Sequence, residues 1–311
     1  MNWFKEFESE LSVVFEECEA VISRFPAPLH ERGLQYLQGF HPFRKDSAKN
    51  YICYLLPFWV KDLTHTSPEL CRKLSLANVF VMLYFFVQDD LMDTAPEEWK
   101  EQLALANLFY VEFLEMYREH FPSDSPLWSY FRTYITEWTL TVVHENDADY
   151  FYHHAAMIAK KAGPLKLAST AALLLNGQAE LISVVSSMVD RVLLTLQMMD
   201  DFVDWSEDLL QGSYNCLISL ISSTYQIAPG QITEEVVNQA LYLKGIMNPY
   251  AEMAAGNHKY IEKMQVNIPY LEAFHQLLCQ QLQQEAERID EERTQLLEGG
   301  LHYYLSKSNK I

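Results

Sequence analysis

Twice in this chain, carboxylates recur every fourth residue inside stretches that otherwise read as apolar helix. The first run is Asp89-Asp90-Leu91-Met92-Asp93. The second is Asp200-Asp201-Phe202-Val203-Asp204, and it continues to Asp208. Like charges at i and i+4 share a helix face and destabilise an isolated helix by roughly 0.2–0.5 kcal/mol per pair. Placed among Phe, Met and Leu, such rows call for a compensating cation. Hard divalent ions with oxygen ligands, Mg²⁺ foremost, are the natural partners.

The periodicity around these runs is helical nearly throughout. Only 10 Gly and 12 Pro occur in 311 residues, and many stand where helices should begin or end: Pro42, Pro68, Pro96, Pro126, Pro164, Pro249, Pro269 and Gly299-Gly300 among them. No alternating strand pattern, internal repeat or low-complexity linker interrupts them. The breaks leave room for about ten to thirteen helices of ordinary length. The expectation is one all-α domain over residues 1–311, a helical bundle around a deep central cavity. The charge-rich stretch Glu285–Glu298 reads as a solvated helix face.

Angular position on the helices sharpens the reading. At about 100° per residue, with Asp200 at the origin, Asp204 falls near 40°, Asp208 near 80°, Gln197 near 60° and Gln211 near 20°. This stripe holds no Lys or Arg, and it continues upstream into Leu193 and Val189. A solvated surface stripe would mix charge signs. In the first run Asp93 lies about 40° from Asp89, with Met82, Phe85, Phe86 and Asn78 on the same face. Carboxylates at one end and aromatics below them describe the wall of a cavity that is apolar at the bottom and metal-binding at the mouth. A ligand with an anionic phosphate head and a long hydrocarbon tail needs both ends. Asp90 and Asp201 lie about 100° off the stripe leaders and are expected to act behind the metal-binding acids.

Charge and cysteine content narrow the partners. The formal charge is −19, from 23 basic and 42 acidic residues. Nucleic-acid binding, which needs clustered Lys and Arg, is not expected, and neither is attraction to anionic membranes. The apolar run at Leu76–Val87 is too short to span a bilayer, so stable membrane insertion is not expected. Cys18, Cys53, Cys71, Cys216 and Cys279 show no CxxC spacing and are odd in number, which fits reduced thiols in a cytoplasmic protein. The opening Met1-Asn2-Trp3-Phe4-Lys5-Glu6 does not have the pattern of a secretory signal.

The segment Leu196-Gln197-Met198-Met199-Asp200-Asp201-Phe202-Val203-Asp204 resembles the second aspartate motif, FQxxDDxxD, of trans-prenyl diphosphate synthases in the class I isoprenoid synthase superfamily. Asp89–Asp93 is similar to their first DDxxD. Lys161-Ala162-Gly163-Pro164-Leu165 resembles the element whose lysine contacts the allylic diphosphate. The arginines that hold a second diphosphate in chain-elongating members have no counterpart. Ser47-Ala48-Lys49-Asn50-Tyr51 keeps at most Lys49, and Thr94-Ala95-Pro96-Glu97-Glu98 follows the first motif with acids. Asp200, Asp204 and Asp208 instead occupy the spacing of the metal triad of terpene cyclases, with Asp in place of its Asn and Ser.

The resemblance implies a Mg²⁺-dependent terpene synthase (cyclase), with three ions, that ionises farnesyl or geranylgeranyl diphosphate. Asp89, Asp93, Asp200, Asp204 and Asp208 would bind metal, the first four as catalytic acids. Lys161 and Lys49 would contact the diphosphate. Met82, Tyr84, Phe85, Phe86, Gln197 and Trp205 would line the pocket, where aromatic faces stabilise a desolvated cation by about 2 kcal/mol each. His153 and His154 are candidate base or diphosphate partners, although a His pair on a Tyr/Phe-rich helix is more often structural. The alternatives are a prenyl diphosphate synthase with an altered acceptor site and a non-catalytic subunit of a heteromeric synthase. Members of the superfamily often form homodimers.

Overall fold

The computed structural model describes residues 3–94, 97–145 and 149–308; the side chains of residues 93, 94 and 296–308 lie outside that description. The described residues are helical, with no strand. In chain order the helices are α1 (Glu8–Ile22), α2 (Leu29–Gln38), α3 (Tyr51–Trp59), α4 (Lys61–Thr64), α5 (Pro68–Thr94), α6 (Trp99–Arg118), α7 (Leu127–Val143), α8 (Tyr150–His153) and α9 (Ala156–Ala159). They continue with α10 (Leu167–Leu175), α11 (Ile182–Gln211), α12 (Cys216–Tyr225), α13 (Glu234–Tyr242), α14 (Met247–Glu262) and α15 (Pro269–Ser308). Short 3-10 turns join several of them. The chain forms two compact units. One comprises Met1–Trp138, Ala162–Ser187 and Val266–Leu271; the other comprises Thr139–Lys161, Met188–Gln265 and Glu272–Ile311.

Most of the punctuation acts as expected. Ser67 and Pro68 start α5: the Ser67 hydroxyl accepts from the Leu70 N–H, and Pro68 takes a first-turn position where its missing N–H costs nothing. Pro269 opens α15 in the same way. Two positions differ. Pro249 sits in the first turn of α14, which it tolerates, and α15 runs through Gly299-Gly300 to Ser308. Glycine weakens a helix by about 1 kcal/mol without forbidding it.

In the first unit α5 is the central helix, packed against α6, α3 and α1. Phe80, Phe109, Phe113, Tyr54 and Trp59 fill its core. Pro57 lies inside α3 and has no N–H to offer the Cys53 carbonyl one turn back. Asn78 of α5 replaces it, its amide donating to Cys53 O at 2.8 Å, while the Ser75 hydroxyl donates to Tyr54 O at 2.6 Å. Both side chains are fully buried, and unmade bonds there would cost about 1–3 kcal/mol each. These bonds fix how α3 sits along α5.

In the second unit the core is built from α11, α12, α14 and α15, with Met198, Leu217, Ile221, Tyr250, Leu282 and Ile289 buried. The Tyr250 hydroxyl donates to Met198 O at 2.9 Å, giving that buried phenol a partner. Two helical stretches, Pro68–Met92 and Ala179–Gln211, are long and apolar enough to cross a membrane by length and composition. The run-length reading of Leu76–Val87 missed them because it stopped at polar residues that a long helix accommodates. Within the protein, 72% and 50% of their most apolar windows are buried, which is how core helices meet the same criterion.

Candidate functional site

Each acidic run lies at the C-terminal end of a long helix. Asp89, Asp90 and Asp93 close α5, and Asp204 and Asp208 close α11; neither helix has a basic residue in its last turn. A helix C-terminus carries partial negative charge, so acids there are disfavoured by about 0.3–1 kcal/mol each. Both helices therefore accumulate negative charge where the backbone already opposes it. That arrangement suits a cation supplied from outside the fold.

At the end of α5, Asp89 and Asp90 are exposed. Asp90 accepts a hydrogen bond from the Tyr36 hydroxyl of α2 at 2.8 Å. Burial and the nearby Asp90 raise the pKa of that tyrosine. The Asp93 side chain lies outside the described residues. Below the acids, Met82 and Phe85 are buried, while Tyr84 and Phe86 are half-buried. Phe85 meets Trp138 edge-on with centroids 4.9 Å apart, Tyr84 lies 5.2 Å from Tyr110, and Phe86 lies 5.1 Å from Phe40. The aromatics expected to line a pocket thus pack closely with one another. Lys49 is exposed, and its ammonium donates to Ser47 O at 3.2 Å. Nearby Arg44 is engaged by Asp46.

The end of α11 is more fully determined. Gly212, at φ +73°, takes the left-handed conformation that stops the helix, and Ser213 N–H returns to Asp208 O at 2.9 Å. Asn215 then caps α12 by accepting from Leu217 N–H and Ile218 N–H. The Asn215 amide also donates to the Asp208 carboxylate at 2.8 Å and to Asp201 O at 2.7 Å. Asp201 is buried, and its oxygens accept from Gln197 Nε2 at 2.6 Å and from Cys216 N–H at 2.5 Å. This carboxylate therefore holds the start of α12 against α11. Burial pushes its pKa up, and these hydrogen bonds pull it back.

Asp200 and Asp204 are exposed along the same stripe. Solvent reaches Asp200, yet protein flanks it closely. This desolvation, with Asp201 and Asp204 beside it, raises its pKa to about 6. Asp208 is raised as well, chiefly by burial, with Asn215 and Lys161 opposing the shift. Among the described residues no three His, Cys, Asp or Glu side chains already converge on one point. The donor set nevertheless fits Mg²⁺: hard carboxylate oxygens, one turn apart, whose mutual repulsion a divalent ion would relieve.

Lys161 forms an ion pair with Glu145, and both are partly buried. With Thr141, Tyr150, Gln197, Asp201 and Tyr214 they enclose a hollow of about 20 Å³. That is space for one water and far too little for a diphosphate. A larger hollow of about 660 Å³ opens beside Asp208, between polar Asp149, Tyr214 and Asn215 and apolar Leu209, Ile218 and Ile232. Asp149 caps α8 and accepts from the hydroxyls of Tyr214 and Ser219. Trp205 is half-buried against the core of this unit, and His153 and His154 are exposed. The structure thus gathers Lys161, Gln197, Asp200, Asp201, Asp204 and Asp208 in the second unit. Lys49, Met82, Tyr84, Phe85, Phe86, Asp89 and Asp90 belong to the first. Sequence reasoning missed Glu145, Asp149 and Asn215. Only Asn215 carried a local signal, a capping residue directly before the apolar run of α12.

No protein-family model matches the sequence, and no curated protein matches it. Solved structures do. The geranylgeranyl pyrophosphate synthase from Lactobacillus brevis ATCC 367 superposes with a TM-score of 0.67 at 15% identity, covering 88% of this chain and 96% of that one. Its complex with citrate gives 0.65 at 14% identity over 89% and 96%. The chain therefore shares the all-helical fold of these synthase structures.

Proposed function

We propose that this protein is a Mg²⁺-dependent class I terpene synthase, a single isoprenoid synthase domain that ionises farnesyl or geranylgeranyl diphosphate and releases diphosphate. The observation that carries the reading is the pair of acidic helix ends, without a basic residue in either last turn, on a prenyl diphosphate synthase fold. Asp89, Asp93, Asp200, Asp204 and Asp208 would hold the metal. When bound, Mg²⁺ supplies Lewis-acid neutralisation of the charge that develops on the departing diphosphate. Lys161, once released from Glu145, would add a protein cation to the diphosphate oxygens, and Asp201 and Asp90 hold the helix ends that present the acids. The aromatic side chains of α5 would keep water from the allylic cation and so prevent its premature quenching. The apolar helices are those of a soluble, cytoplasmic enzyme whose core buries them.

The cyclase reading is favoured over condensation because residues 47–51 and 94–98, where the resemblance would place a second cationic clamp, hold no arginine. Two anionic substrates need bidentate arginines or their equivalent. Here Arg44 is occupied by Asp46, and Glu97 and Glu98 follow the first acidic run. A prenyltransferase with an altered acceptor site is the second reading, because the matched structures are geranylgeranyl pyrophosphate synthases. Incubation with Mg²⁺ and farnesyl or geranylgeranyl diphosphate, with and without isopentenyl diphosphate, separates the two. Hydrocarbon or terpene alcohol from one substrate is expected; a longer diphosphate formed only with both would replace the cyclase by the transferase. No turnover of any prenyl diphosphate would leave a non-catalytic subunit.

The Glu145 pair makes a second expectation. While Lys161 is bound to Glu145 it brings no net positive charge, so a diphosphate must compete for it. Glu145→Gln should tighten binding of inorganic diphosphate in the presence of Mg²⁺ about fivefold, since a partly exposed pair is worth about 1 kcal/mol. Isothermal titration reads this directly. An unchanged affinity would remove Lys161 from the diphosphate site.

A further inference from the structure

The end of α6, the start of α7 and the turn between them frame a hollow of about 660 Å³. Its walls are mainly aromatic and aliphatic, with Tyr110, Trp128, Phe131 and Ile135 prominent, and two guanidinium groups, Arg118 and Arg132, stand on its lining. The walls are set before any ligand arrives. Trp128 Nε1–H donates to Pro122 O at 2.7 Å, and Phe131 packs edge-on against Phe113 of the core at 5.9 Å. The size lies within the usual range for small-molecule sites, and so does the composition, apolar with a few placed polar groups.

The arginines decide what such a site would take. Acids outnumber bases 42 to 23 in this chain, so an arginine usually finds a carboxylate. Arg32, Arg44, Arg72, Arg288 and Arg293 all do. Among the described residues Arg24, Arg118, Arg132 and Arg191 have no carboxylate partner, and of these Arg118 and Arg132 border the same aromatic hollow. Arginine recognises carboxylate and phosphate through paired N–H donors, and its planar face also tolerates aromatic neighbours. Unspent donors at the rim and apolar walls behind them define a complementary ligand, an anionic head on an apolar body.

We propose that this hollow is a binding site for an anionic amphiphile, whose phosphate or carboxylate is held by Arg118 and Arg132 and whose hydrocarbon body lies against Trp128, Phe131 and Ile135. The site belongs wholly to the first unit and uses none of the acids of α5 or α11, so it stands whether or not the protein ionises prenyl diphosphates.

The test is calorimetric titration of the full chain in EDTA, which keeps divalent ions from recruiting phosphate to the acidic helix ends. Dodecyl phosphate, dodecanoate, inorganic phosphate and dodecyltrimethylammonium are compared, each below its micellar concentration. One-to-one binding of dodecyl phosphate or dodecanoate is expected, the tighter of the two naming the head group. The Arg118→Ala/Arg132→Ala variant should bind at least about tenfold more weakly, having lost two charge-assisted contacts. Inorganic phosphate and dodecyltrimethylammonium should each bind at least about tenfold more weakly than the better anionic amphiphile. Both arginines are exposed, so the variant should fold; a circular dichroism spectrum and melting point matching the wild type verify this. Equal binding of the cationic detergent would reduce the hollow to an apolar patch and overturn the proposal. So would unchanged binding by the double variant. Sedimentation showing a dimer that the double variant abolishes would instead seat a second copy there, and the proposal would fail.

Discussion

Asp200→Asn is expected to cut turnover of a prenyl diphosphate by about a hundred- to a thousandfold while making the magnesium-free protein more stable. The two effects share one cause. Desolvation, with Asp201 and Asp204 nearby, raises the Asp200 pKa to about 6, above the ordinary carboxylate value of 3.8. The folded state therefore binds this proton more tightly than the unfolded chain does. Below about pH 4 both states are protonated and the fold is not penalised. Between pH 4 and 6 the penalty grows, and above pH 6 it is complete. The shift corresponds to about 3 kcal/mol at face value, and solvent access to the carboxylate reduces it to about 1 kcal/mol. Asn removes the charge, so the gain should be present at pH 7.5 and absent at pH 4.

The neighbouring residue should behave in the opposite way. Asp201 accepts from Gln197 and from the first N–H of α12, and an amide in its place would turn a donor toward a donor. Asp201→Asn should therefore destabilise by about 1–3 kcal/mol. Urea unfolding of both variants in EDTA, beside their activity in Mg²⁺, gives the comparison. An Asp200→Asn protein that is active and less stable would mean that this carboxylate serves the fold, and the metal assignment would go with it.

The contrast between adjacent aspartates was legible from the helix wheel, which set Asp200, Asp204 and Asp208 on one stripe and turned Asp201 aside. The all-α class was equally legible, because breaks such as Pro68 and Pro269 and the apolar period between them are local. What stayed hidden depends on residues far apart in sequence. No spacing rule joins Lys161 to Glu145, whose partner is chosen by the chain's path through a 3-10 turn. Asn78 was visible as an interior residue of α5, but its reason is Pro57 on another helix. The aromatics of α5 show the limit of angular reasoning: it placed Phe85 and Phe86 on the face of the acids, while their neighbours Trp138 and Phe40 come from two other segments.

The same distance effect hides a buried histidine that should dominate the response of this protein to acid. His275 of α15 is fully buried. Its Nε2 lies 2.8 Å from the Thr195 hydroxyl of α11, and its Nδ1 lies 3.0 Å from Nδ1 of His258 on α14. Asn257 joins the network by donating to Thr195 at 3.2 Å and accepting from Arg191 at 3.2 Å. Burial first, and the neighbouring His258 second, lower the His275 pKa from 6.5 to about 3. A histidine whose folded pKa lies below its unfolded one favours the fold fully above pH 6.5. That contribution is lost as pH falls from 6.5 toward 3, with a slope approaching one proton. From pH 7.5 to pH 5 the loss should be about 2 kcal/mol, and any folded pKa below 4 gives nearly the same figure. Asp200 works the other way in this range, since protonation relieves it, so the wild-type pH dependence is a sum. The His275→Gln variant isolates the histidine: glutamine keeps a hydrogen-bonding side chain near Thr195 but does not titrate. Its absolute stability will be lower. The difference in unfolding free energy between wild type and variant should nevertheless shrink by about 2 kcal/mol between pH 7.5 and pH 5, measured by urea unfolding at each pH. A difference that stays constant across that window would show that His275 protonates normally in the folded protein, and that the polar layer joining α11, α14 and α15 opens to water.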